Sequence, residues 1–378
     1  MRFILLPLLL LMLAGCSSSG PIREPATLET ITGARDVNVK WVRSTSSSSL
    51  NKVYDRLAPA ISDGKLYTAN ANGMVYAFDL AKGKKQWQQE FALVISGGVG
   101  INDQSLFIGS SKGEMLALAR NDGAEQWRTT LSSEVLAPPV ATANQVIVRC
   151  VDGNVYALDV ENGQRLWSYQ SGIPSLTLRG DGTPVITNDN VLIGLANGRL
   201  VSLSLYDGSI TWEGNVAVAQ GRTDLERMVD VDATPLVVDD TVYAVAYQGR
   251  IVALSLSTGT QQWSRDIGSS AGMAIDEHHL YVVDDDDQVW MLDRNSGASL
   301  WKSDKLKYRD LTAPAALKDA VVVGDFEGYL HWLSLDDGHI IARRQVDSDG
   351  VRATPVVINN VLYVRSKNGD LEALTLAP

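Results

Sequence analysis

The chain has 378 residues, 45% of them apolar, and a formal net charge of −11. An acidic balance without basic clusters argues against nucleic acid as a partner. Its two cysteines, Cys16 and Cys150, are too few for a disulfide framework, and Cys150 sits in an apolar strand run as a small buried residue.

The first fifteen residues read as a leader rather than as part of the fold. Arg2 opens it, Phe3 to Leu13 is apolar but too short to span a bilayer, and Leu13, Ala14, Gly15 and Cys16 follow. This order resembles the lipobox of bacterial lipoproteins. The resemblance implies that residues 1–15 are removed and that Cys16 is lipidated as the mature N-terminus. Ser17, in place of an aspartate, implies transfer to the outer membrane. Residues 16–35, rich in Ser, Gly, Pro and Thr, have the composition of a flexible tether.

From residue 36 to 378 the chain repeats a unit of about forty residues. Each unit carries a glycine (Gly73, Gly113, Gly153, Gly198, Gly249, Gly328 and Gly369, with Asp287 in the sixth slot). A second glycine follows ten residues on in every complete unit, as at Gly83, Gly163 and Gly338. A tryptophan stands fourteen residues after the first glycine, from Trp87 to Trp301, with Ala342 in the seventh slot. Positions two and five after the first glycine are large and apolar in all copies, for example Val155 and Leu158. Short apolar runs between glycine turns are strand signals, and prolines such as Pro139 and Pro184 suit the first residue of a strand. Each unit therefore reads as four strands, and eight of them arranged radially make an all-β, eight-bladed propeller. The last unit lacks its tryptophan strand, and a spare one, ending at Trp41, precedes the first unit. The N-terminal strand is thus predicted to complete the last blade and close the ring.

Length variation is confined to the connections from each tryptophan to the next unit. Most span ten to thirteen residues, but those after Trp41, Trp167 and Trp212 are eighteen, seventeen and twenty-three. Because strands alternate, all these connections emerge on one face, and the last two are consecutive. The first of the pair contains Leu176, Leu178 and Arg179; the second contains Leu225, Met228, Val229, Asp230 and Asp232. Apolar anchors with a polar rim suit a protein-contact patch, although the same leucines fit a role capping the blade ends.

Other candidates carry less. Asp284 to Asp287 lacks the spaced ligand pattern of a calcium loop and reads as a solvated turn; His278 and His279 form a weak metal pair. Trp290 and Trp332 are extra tryptophans in the two irregular units, where they fill space between blades. There is no nucleophile elbow and no glycine-rich loop leading into a helix.

The unit from Asp152 to Trp167 resembles the repeat of pyrroloquinoline-quinone (PQQ) propellers. Quinone enzymes of that class carry adjacent cysteines and calcium ligands, which this chain lacks, so the fold alone does not license a dehydrogenase or a cofactor. With the lipobox and tether, the whole chain is similar to the lipoprotein propeller subunits of the outer-membrane β-barrel assembly (BAM) machinery. The segments Ser175–Gly180 and Val229–Pro235 carry the closest likeness. That resemblance implies a non-enzymatic scaffold, lipid-anchored at the outer membrane and facing the periplasm. It implies docking on the POTRA domains of BamA through Leu176, Leu178, Arg179, Asp230 and Asp232, and help in presenting unfolded outer-membrane proteins. An outer blade strand offers one way to pair with such a client. The alternatives are a periplasmic quinoprotein enzyme or a ligand-binding propeller, including one for carbohydrate.

Overall fold

Each predicted tryptophan packs on the predicted glycine of the following unit, and this contact sets the blades side by side. In the computed structural model, which describes residues 23–45, 56–180 and 182–378, the strands form eight four-stranded antiparallel sheets. Blade 1 comprises Ala60–Ser62, Lys65–Ala69, Met74–Asp79 and Lys85–Glu90. Blades 2 to 7 repeat this order. Blade 8 takes three strands from Val356–Ile358, Val361–Arg365 and Asp370–Leu376, and its outermost from Val37–Ser44. The predicted closure by the N-terminal strand is therefore observed, with Val37 opposite Leu376 and Ser44 opposite Asp370. It removes the open ends that a repeat array exposes.

The repeat residues explain why the blades pack. Trp167 pairs across strands with Ala157, a small residue that leaves room for the indole. The ring then covers Gly208 of the next blade, where a Cβ would lie 2.5 Å from it, and its Nε1–H donates to Leu205 O at 2.9 Å. Gly208 also has φ +73°, a conformation that costs an L-residue about 1–2 kcal/mol. A Gly208→Ala chain is expected to lose at least that much stability, read as a lower urea midpoint. The sixth glycine slot, Asp287, adopts the same turn with φ +60°, which aspartate tolerates better than most residues.

The irregular blade follows from the closure. Trp332 stands where six other blades have a small residue, opposite Ala342, and both are fully buried. The bulk has moved one strand inward. A tryptophan at 342 would need a glycine turn in blade 8, but there the third and fourth strands come from opposite ends of the chain. Arg35 fills that place, donating from Nε to Ala377 O at 2.8 Å.

The described part of the expected tether is bound to the disc. Ala26 N donates to Lys307 O at 2.9 Å, Arg309 Nη1 to Ala26 O at 2.9 Å, and Arg343 Nη1 to Glu29 O at 3.0 Å. Leu28 packs on the core shared by blades 6 and 7. For residues 23–35 the reading as a loose linker is thus corrected: composition could not show that Arg309 and Arg343 await their carbonyls. The leader and Cys16 lie outside the described residues.

Candidate functional site

The two long connections, around 171–182 and 216–235, meet on the face that carries the blade-to-blade connections. Of the five residues singled out there, two are at the surface. Leu176 is 42% exposed and the Arg179 side chain 49% exposed. Leu178 is half-buried. Leu225, Ile173 and Val218 extend the exposed apolar surface.

Asp230 and Asp232 are placed differently from a contact surface. They are 0% and 6% exposed, beneath the first loop. The Leu178 N–H donates to the Asp230 carboxylate. Arg149 Nη2 lies 3.3 Å from Asp232 Oδ1, and Arg149 Nη1 donates to Gly182 O at 3.3 Å. Gly180 lies so close over Asp232 that a Cβ there would fall 1.9 Å from its carboxyl carbon. The acids therefore pin the Leu176–Arg179 loop from below. Met228 and Val229, read as possible anchors, are buried as well, Val229 in a core cluster with Trp212.

Two further contacts complete the arrangement. The Arg179 guanidinium pairs with Glu134, its Nε lying 3.1 Å from Oε2. Ser175 Oγ donates to Asp224 at 3.1 Å, joining the two loops. Glu134 and Arg149 escaped sequence reasoning because both lie in units of regular length, so no insertion marked them.

Burial pushes the Asp230 carboxyl up to about 6; the Leu178 N–H opposes this, the Asp232 charge adds to it and Arg149 opposes it. A carboxyl raised in the folded state binds its proton more tightly there than in the unfolded chain. Its contribution to stability therefore rises as pH falls from about 7 towards 4, by up to about 3 kcal/mol for a two-unit shift. Asp230→Asn is expected to remove this contribution, so the difference in stability between wild type and variant should change with pH over that window. A pH-independent difference in urea titrations would contradict the assignment.

The remaining candidates are structural. Asp284 accepts from Trp290 Nε1 at 2.8 Å, Asp285 from Gln248 N at 2.9 Å, and Asp287 from Leu311 N at 2.9 Å, so the acidic run pins neighbouring blades rather than merely solvating a turn. No group of metal-ligating side chains of the kind that holds an ion occurs among the described residues. His279 instead faces Asp276 at 3.2 Å. Burial pushes the Cys150 thiol up to about 12, away from thiolate chemistry.

A PQQ-type propeller of eight blades, with a braced loop pair on one face, is the class of protein these features define. A family profile described as outer membrane protein assembly factor BamB matches residues 27–94 and 71–303. BamB of Alkalilimnicola ehrlichii is 41% identical, the match covering 97% of this chain and 94% of that protein. BamB of Escherichia coli K12 is 33% identical, with 99% of each covered. The crystal structure of Moraxella catarrhalis BamB superposes with a TM-score of 0.83 at 29% identity, covering 90% of this chain and 100% of that one. The chain belongs to the BamB family. A quinohemoprotein alcohol dehydrogenase of Comamonas testosteroni shares the fold alone, with a TM-score of 0.72 at 12% identity over 90% of this chain and 76% of that one. Family membership makes the chain an outer membrane protein assembly factor and not one of the enzymes that share its propeller.

Proposed function

We propose that this chain is a scaffold subunit of the BAM machinery that docks its loop face on the POTRA domains of BamA. Leu176 and Arg179 make the contact and Leu178 supports it from its half-buried position; Asp230 and Asp232 act indirectly, by holding the loop in its docking shape. Lipid on Cys16 holds the protein at the outer membrane on the periplasmic side, where it aids delivery and insertion of unfolded outer-membrane proteins. The observation that carries the reading is an exposed leucine and arginine on a loop braced from beneath by two buried carboxylates. Preorganisation of this kind lowers the ordering cost of binding.

The test is binding of the soluble domain, residues 20–378, to the purified POTRA fragment of BamA. Saturable binding is the expected result. No binding at high concentration would leave family membership intact and remove this docking mode.

A further inference from the structure

The central channel opens on the loop face through a funnel of about 620 Å³. Small residues such as Ala58, Thr183, Thr234 and Thr354 form its wall and leave room for an entering chain. Its charge is uneven. Arg56, Arg179, Arg352 and Lys367 line it, and among the described lining residues the one acid is Asp232. That acid already faces Arg149. Such a concentration of cations is notable in a protein of net charge −11. Cations in a cleft with low-dielectric walls raise the local concentration of anions, and the volume lies within the range of ligand sites.

The cations stand on opposing sides of the mouth. Arg352 and Arg56 precede the inner strands of blades 8 and 1, whereas Arg179 precedes that of blade 4, half-way round the ring. Two of these cations are held from outside the funnel, Arg352 by Asp310, 2.6 Å from its Nη1, and Arg179 by Glu134. A guanidinium has five donors, so one carboxylate fixes its orientation and a second can still be taken. A single small anion cannot span opposing walls, but an extended peptide with spaced carboxylates can.

We propose that the funnel binds an acidic segment of polypeptide. Its carboxylates are taken by Arg56, Arg352 and Lys367 on one side and by Arg179 on the other, and the wall hydroxyls of Thr183, Thr234 and Thr354 face its main chain. The proposal uses the same face as the BamA docking but does not depend on it.

The test is fluorescence anisotropy of the soluble domain with a labelled, N-acetylated peptide of alternating Glu and Gly. A Lys–Gly peptide and citrate serve as comparisons. The expected result is salt-sensitive binding of the Glu peptide alone, weakened about tenfold in an Arg56→Gln, Arg352→Gln double variant. Lys367→Gln provides a second reading should the double variant not fold. Unchanged affinity in the folded variants, no binding of the Glu peptide, or citrate binding as tightly as the peptide would each overturn the proposal. POTRA binding by the double variant, measured alongside, is expected to persist, because Arg56 and Arg352 lie outside the docking loops and only Arg179 is shared between the two sites.

Discussion

Arg179→Glu is expected to weaken binding to the POTRA fragment of BamA by about 30-fold or more while the domain stays folded. A loss of that size corresponds to about 2 kcal/mol, the scale of an interface hot spot. Two effects act together. The reversed side chain removes the exposed cation proposed to meet BamA, and it stands beside Glu134, so the pair that fixed the end of the loop becomes repulsive. Leu176→Ala removes apolar contact area only and is expected to cost less, about 1 kcal/mol. Asp232→Asn changes little of the exposed loop face, because the residue is 6% exposed. It weakens the tie to Arg149 and is expected to reduce affinity by an intermediate amount through the loop. Surface plasmon resonance on the three variants, with circular dichroism as a check of folding, gives the ranking. A folded Arg179→Glu protein that binds like wild type would place the docking surface elsewhere.

The propeller was legible in the sequence because its determinants recur. A tryptophan, the small residue opposite it and the glycine it covers reappear in most blades, so the period reports the packing directly. The site was legible only in outline. Insertion length pointed to the loops that carry Leu176 and Arg179, but it gave no depth. Charged residues are rarely fully buried, so Asp230 and Asp232 read as surface contacts until the structure placed them beneath the loop. Their partner Arg149, and Glu134 under Arg179, come from neighbouring units of ordinary length and carry no local signal. The same limit applies to residues 23–35, whose binding to blades 6 and 7 is decided by side chains about 280 residues or more further along the chain.

Trp332→Ala is expected to lower the unfolding free energy by about 3–5 kcal/mol, the cost of emptying a large aromatic site in a packed core. The cavity would open at the centre of the cluster joining blades 7 and 8, where Trp332 packs with Ala342, Val351, Leu362 and Leu374. This seam also joins the chain ends, so its loss should be felt by the whole ring. Adding Ala342→Trp restores the repeat pattern on paper but is not expected to restore stability. In the other blades the indole covers a glycine turn and donates to the next blade, as Trp301 does to Leu335 O at 2.9 Å. Beside position 342 that turn is replaced by Arg35 and Ala377, which offer a new indole no glycine to cover. Trp332→Phe separates volume from hydrogen bonding. The Trp332 Nε1 has no partner among the described residues, so phenylalanine removes a buried donor along with part of the ring. Its cost is expected to stay below about 1.5 kcal/mol. Urea titrations of the three chains decide the matter: recovery of wild-type stability by the double variant would show that the missing turn is not the reason for the exchange.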